Sequence, residues 1–222
     1  LLLKIQKIKP TIKIKTSINR NYKFKKYSLK ILHSESDLFF DWYLKEVIGK
    51  KRADYVKKIL KPKLNAIYKK LSFKNNIFVH RDFHVSNLMR INNKIGVLDS
   101  QDAIIGNPSY DLVSLIDDVR IVTSSKVKNQ IYDYYIKKSS LINKSNKINF
   151  LEDFYILSIQ RNLKIIGIFS RLFLRDKKKQ YLKLIPYCWK LIEHRYKHES
   201  FEEVKLILDQ CIPKKIRKLK SI

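Results

Sequence analysis

Only four glycines occur in 222 residues (Gly49, Gly96, Gly106 and Gly167). They are too few and too scattered to form a glycine-rich loop that lets the backbone wrap a phosphate. Cysteine is as scarce: Cys188 and Cys211 lie far apart and outside any C-x-x-C pair. That removes a disulfide framework and a cysteine metal site, and it fits reduced thiols in a cytoplasmic protein. No apolar run approaches the roughly 20 residues of a membrane-spanning helix. The opening Leu1-Leu2-Leu3 is too short for a signal-peptide core and no small-residue cleavage site follows it. The first residue is not Met, so the chain is expected to begin partway through a longer protein.

What is abundant is lysine. Lys and Arg number 48 against 20 Asp and Glu, a net charge of +28. A concentrated charge of that size would suggest a nucleic-acid or anionic-membrane partner. Here the lysines are spread over every segment, beside abundant Ile and Asn and only three alanines. This looks like compositional drift, with Lys replacing other solvated residues. The chain is expected to have no membrane partner and, despite its charge, no nucleic-acid partner. With 45 % apolar and 31 % charged residues the balance is globular, with length enough for one large domain or two small ones.

Along the chain, apolar residues at Leu1, Leu2, Leu3, Ile5 and Ile8 suit the last turns of a helix ended near Pro10. A Lys-rich connection follows that periodicity does not assign. Ser34 is read as a helix cap, with Glu35 and Asp37 complementing the dipole and an apolar face running to Gly49. A second helix is expected over Ala53 to Leu71, kinked or broken at Pro62. Ile77 to Val79, Leu88 to Ile91 and Ile95 to Leu98 read as short strands, the last two around a turn at Asn92-Asn93-Lys94. From Pro108 onward the pattern is helical: Tyr110–Val119, Lys126–Tyr135, Leu151–Leu174, Tyr181–Tyr196 and Phe201–Leu208. The Lys214 to Lys220 run reads as a frayed, solvated tail. The fold class is therefore α+β, predominantly α-helical, with a small central β-hairpin.

One stretch gathers polar residues at spacings that chemistry needs. His80-Arg81-Asp82 is followed by Asn87, five residues after the Asp. A phosphoryl-transfer site needs a carboxylate to orient or deprotonate an attacking hydroxyl, and oxygen ligands for Mg²⁺. The H-R-D-x-x-x-x-N pattern supplies both, and Asp99 stands where a second metal carboxylate should follow a short hairpin. If the hairpin is symmetric about Asn93, then Ile91 faces Ile95, Met89 faces Val97 and Asn87 faces Asp99. Cross-strand partners have Cβ atoms about 5 Å apart, which would let one ion take an oxygen from each of the last two. A different chemistry is also open: His80, Asp82 and His84 alternate as H-x-D-x-H, a pattern that holds transition metals in some hydrolases.

At these residues the sequence resembles the aminoglycoside phosphotransferase and choline kinase family, within the protein-kinase-like fold. The family's loop typically reads H-G-D-x-H-x-x-N; here it is His80-Arg81-Asp82-Phe83-His84-Val85-Ser86-Asn87. There is no D-F-G triplet, since Ser100 and Gln101 follow Asp99. A closer resemblance is to bacterial anomeric kinases of N-acetylmuramate and N-acetylglucosamine, whose metal segment looks like G-V-x-D-F-Q-D-A. Gly96-Val97-Leu98-Asp99-Ser100-Gln101-Asp102-Ala103 matches it with Ser for Phe, and Tyr110-Asp111-Leu112-Val113-Ser114-Leu115 matches what comes next.

The resemblance implies Asp82 as catalytic base, Asn87 and Asp99 as magnesium ligands, and His80 and Asp111 as supports of the catalytic loop. It implies ATP as donor, Mg²⁺ as cofactor and an amino sugar as acceptor. Arg120 and Arg161 are candidates for a lactyl carboxylate, because guanidinium forks suit carboxylates; Asp102 is a further metal or substrate candidate. The whole of 1–222 is then a kinase C-terminal lobe, with the catalytic and metal segment at 77–120, a helical acceptor-binding part at 121–210 and a basic tail at 211–222. No N-terminal ATP lobe is recognisable, so a fragment that binds ATP poorly and turns over little is expected. The alternatives are an aminoglycoside- or choline-type kinase, or a degenerate kinase-like binding module without catalysis.

Overall fold

The computed structural model describes residues 1–11, 13–15 and 21–217, with only the backbone described at 13, 14, 21 and 22. It begins with helix α1 (Leu2–Ile5) and strands β1 (Lys13–Lys15) and β2 (Asn21–Lys23). Helices α2 (Leu29–Leu38), α3 (Lys45–Ile48) and α4 (Lys50–Tyr68) follow, with a π-helical stretch, Phe39–Leu44, joining the first two. Then come strands β3 (Ile77–Val79), β4 (Leu88–Ile91), β5 (Lys94–Val97) and β6 (Ile104–Gly106). The rest is helical: α5 (Ser109–Ile116), α6 (Ser125–Lys138), α7 (Lys147–Leu174), α8 (Ile185–Arg195) and α9 (Glu202–Cys211). The fold is α+β and predominantly helical, as the periodicity implies.

The chain divides into two compact units: 1–28 with 72–154, and 29–71 with 155–222. In the first, sequence reading left β1 and β2 unassigned and missed β6. Strand β6 pairs antiparallel with β3, Val79 opposite Ile104, and on its other edge bonds to Lys25–Tyr27. Three residues are too few to show a period. Gly106 fits closely there: a Cβ would lie 3.0 Å from Val79 Cγ2 and 3.4 Å from the Tyr27 ring, and those side chains would have to give by a few tenths of an ångström. Behind these strands Tyr27 meets Tyr110 at 5.1 Å, and Tyr135 stacks on Phe150 at 5.6 Å. Two buried polar knots fasten the unit. Gln6 donates to the Pro108 carbonyl and accepts from Tyr135 Oη. Asp153 accepts from the amides of Ser72 and Phe73 and from Asn107 Nδ2.

In the second unit the expected start at Ser34 is wrong. The helix already runs from Leu29, and the Ser34 hydroxyl donates back to the Ile31 carbonyl. Serine caps a helix only where amides are left open, and here it lies inside one. Helix α4 begins at Lys50, just after Gly49 at φ 77°, and continues through Pro62. Gly167 of α7 has no room for a side chain: a Cβ would lie 2.3–2.6 Å from Leu38. The segment expected to be helical from Tyr181 opens instead as a 3₁₀ turn, Lys179–Leu184.

The tail also departs from its reading. Arg217 is 4 % exposed. Its guanidinium bonds Glu193, Asp209 and the Tyr196 hydroxyl and lies 4.5 Å over the Trp189 ring. Two acids and an aromatic face turn one member of a basic run into an interior residue. Residues 218–220 of that run lie outside the described residues.

Candidate active site

The site grows from β3, whose inward residues Ile77 and Val79 are buried and whose end delivers His80. Asp111, in the first turn of α5 and fully buried, accepts both amides at that point: His80 N–H at 2.7 Å and Arg81 N–H at 3.0 Å. One turn along α5, Ser114 Oγ donates to the Arg81 carbonyl at 3.4 Å. Held on both sides, Arg81 adopts φ 73°, a left-handed geometry that glycine takes freely.

Beyond it the loop closes on itself. The Asp82 carbonyl accepts from the His84 amide at 2.9 Å and from Asn87 Nδ2 at 3.0 Å. The far end is pegged by Asp118, 2 % exposed, whose Oδ2 accepts Val85 N–H at 3.2 Å and whose Oδ1 accepts Arg120 N–H at 3.0 Å. Asp117 beside it is buried and bonds Lys128 at 3.2 Å. Sequence reading missed the Asp117-Asp118 pair. The signal was there, because two adjacent acids closing a helix stand out in so basic a chain.

The hairpin between the two metal candidates is real, but its register is not the one counted. Leu88 faces Val97, Met89 faces Gly96, Arg90 faces Ile95 and Ile91 faces Lys94. The turn is therefore two residues, with Asn92 at φ 52°. One step beyond the strands, the Leu98 amide donates to the Asn87 carbonyl at 2.9 Å, so Asn87 lies opposite Leu98 and not Asp99. Asp99 then breaks the strand geometry with φ 61° and ψ 47°. Face-sharing by strand alternation is thus no warrant for pairing Asn87 with Asp99; both flank the open end of the hairpin.

Charge separates this segment from the rest. Residues 77–120 carry six acidic and four basic side chains, a net of −2 in a chain of net +28. The six acids divide evenly by what they meet. Asp111, Asp117 and Asp118 are buried and bonded. The carboxylates of Asp82, Asp99 and Asp102 have no hydrogen-bond or ion-pair partner among the described residues, and Asp99 and Asp102 are exposed. Asn87 gives its Nδ2 to the loop and leaves Oδ1 without a partner among those residues.

The remaining candidates are placed as follows. His80 is buried, with neither ring nitrogen hydrogen-bonded among the described residues. The Asp102 carbonyl accepts from Arg81 Nη1 at 3.2 Å. Arg120 Nη1 lies 3.7 Å from Asp118 Oδ1 and its side chain is 36 % exposed. Arg161 belongs to the second unit, on α7; it is 3 % exposed and its Nη1 has no partner among the described residues. Among the described residues no three His, Cys, Asp or Glu side chains gather to hold a metal. With His80 and His84 buried, the H-x-D-x-H alternative has no geometric support.

The site is thus a carboxylate-bearing loop locked by α5, followed by a hairpin and by Asp99, whose carboxylate meets no partner among the described residues. Residues 25–138 match the phosphotransferase enzyme family model, just over half of the chain. The chain belongs to this family. It is similar to the N-acetylmuramate/N-acetylglucosamine kinase of Neisseria meningitidis, 32 % identical over 164 residues, covering 72 % of this chain and 49 % of the relative. The enzyme of the same description from Pseudomonas aeruginosa is 32 % identical over 171 residues, covering 75 % of this chain and 50 % of the relative. That from Caulobacter vibrioides is 29 % identical over 147 residues, at 64 % and 40 %. The chain spans about half the length of the curated relatives it matches, or less. No helix among the described residues is long and apolar enough to cross a membrane.

Proposed function

We propose that the chain carries the catalytic segment of an ATP- and Mg²⁺-dependent kinase acting on an amino-sugar hydroxyl, of N-acetylmuramate or N-acetylglucosamine type. One observation carries the reading. Asp111, Asp118 and Asn87 Nδ2 tie the loop down, while Asp82, Asp99 and Asn87 Oδ1 meet no protein partner among the described residues. In this reading 77–120 is the catalytic and metal segment, and 121–210 the acceptor side.

Asp82 is the base. Its loop is fixed by Asp111 and by its own carbonyl, so its carboxylate can orient the acceptor hydroxyl and take its proton. Asn87 Oδ1 and Asp99 fit Mg²⁺, a hard cation that takes oxygen from one or two protein groups and completes its shell with water and phosphate. When bound, the ion neutralises charge on the transferring phosphate. Asp102 stands near enough in sequence to serve as a further oxygen. Arg120, half-exposed and steadied by Asp118, suits an acceptor carboxylate by the chemistry of its guanidinium; Arg161 is a candidate by residue type alone. The names of the relatives support the amino sugar as acceptor.

The test is phosphate transfer from ATP to N-acetylmuramate, N-acetylglucosamine and kanamycin by the product of the whole reading frame. Transfer to the sugars, reduced at least about a hundredfold in Asp82→Asn, is the expected result. Activity surviving that substitution removes the role given to Asp82. Nucleotide binding without transfer to any acceptor favours a non-catalytic module. Reading the DNA upstream of Leu1 tests the expected companion lobe: an in-frame glycine-rich strand–loop–strand with a Lys supports it, and a close stop codon opposes it.

A further inference from the structure

The segment after Asp99 needs something to hold it. Residues 99 to 102 are all exposed, and the 3₁₀ turn Ser100–Asp102 is closed by short-range backbone bonds such as Ala103 N–H to the Ser100 carbonyl at 3.1 Å. Among the described residues the side chain that reaches in from outside is Arg81, whose Nη1 donates to the Asp102 carbonyl at 3.2 Å. Arg81 does so from a backbone conformation, φ 73°, that disfavours any residue with a Cβ. Its own amide and carbonyl are pinned by Asp111 and Ser114, so the guanidinium springs from a fixed base.

We propose that Arg81 is a positioning residue, a clasp between the loop that bears Asp82 and the turn that follows Asp99. It holds the loop that bears Asp82 and Asn87 at a set separation from Asp99, so that Asn87 Oδ1 and Asp99 can serve one divalent cation, and to that extent it rests on the metal-dependent reading above. The sign of its effect is diagnostic. A guanidinium beside a cation site repels the cation, so electrostatics alone makes metal binding tighter when Arg81 is removed. A clasp makes it weaker. Replacement by Gly removes the clasp and relieves the backbone together, which separates holding from simple stabilisation.

The experiment compares the wild-type chain, Arg81→Gly, Arg81→Lys and Asp99→Asn. It measures amide hydrogen exchange over 100–103, the urea midpoint, and affinity for Mn²⁺ alone as the probe. For Arg81→Gly the expected result is an unchanged or higher midpoint, exchange about tenfold faster, and Mn²⁺ affinity about tenfold lower, the equivalent of one hydrogen bond. Arg81→Lys keeps the charge and recovers part of both, and it stands in should the glycine variant not fold. Unchanged exchange in Arg81→Gly overturns the clasp. Faster exchange with Mn²⁺ affinity unchanged or tighter reduces Arg81 to a structural role and overturns the proposal. Wild type and Asp99→Asn binding Mn²⁺ alike defeats the metal reading itself, and the positioning role with it, while the exchange data still report whether the clasp exists.

Discussion

Two clusters of charge, one in each compact unit, handle their side chains in opposite ways. Around Arg217 every group is consumed internally. The guanidinium is shared among Glu193, Asp209, Tyr196 and the Ile212 carbonyl and covered by Trp189, and Tyr43 Oη donates to the Arg217 carbonyl. In 77–120 three acids are consumed by backbone amides and a lysine, and the carboxylates of three meet no partner among the described residues. A charge with all its valences satisfied by protein holds a structure together. A carboxylate on a rigid support with none satisfied is poised for something the chain itself does not contain.

That contrast breaks if stability and exposure do not follow it. The largest effect is expected at Arg217→Met, about 2–3 kcal/mol of unfolding free energy by denaturant titration, because it strands two part-buried acids and uncovers Trp189. The pH dependence sharpens this. Burial raises the Asp209 carboxyl, but its bonds from Arg217, Tyr196 and Lys205 outweigh that and hold it below the usual value of 3.8. A lowered acid gives stability that is full above its unfolded pKa and lost as pH falls through the folded one. The gap between wild type and Arg217→Met should therefore narrow in strong acid.

Next comes Asp118→Asn, about 1–2 kcal/mol, because one amide hydrogen pair must then face the N–H of Val85 or of Arg120. Exchange of the Val85 amide should rise with it. Asp153→Asn gives a smaller and opposite pH signature. Desolvation pushes this carboxyl up, against the bonds from Ser72, Asn107 and Phe73. A raised acid contributes stability that is full below its unfolded pKa and lost as pH rises through the folded value. The advantage of wild type over Asp153→Asn should accordingly be greater near pH 4 than at neutrality. Smallest of all, Asp82→Asn and Asp99→Asn should move the unfolding midpoint by no more than about 0.5 kcal/mol. A loss above about 2 kcal/mol for either would mean that its carboxylate is structural, and the contrast would fail.

Much of this was legible in the residues. The strand into His80, the hairpin and the helices after Pro108 announced themselves by period and by turn residues. What escaped did so for physical reasons. The hairpin register slipped by one because nothing pins it: β4 and β5 expose most of both faces, so alternation carries no inward or outward preference. Asn92 settled the matter by accepting φ 52°, which shortens the turn to two residues. Ser34 has the chemistry of a cap but sits where helix already exists, and the π-helical Phe39–Leu44 has no sequence period of its own. Arg217 was hidden by its neighbours: in a run of lysines, only contacts distant in sequence mark one cation as interior.

The hairpin tip itself offers a practical use. Asn92 and Asn93 are exposed, belong to no packed face and lie between the residues assigned to the cation. A fluorophore or spin label attached there would ride on a short lever whose other end is the site. It would report occupancy and local motion from a position where extra bulk displaces nothing.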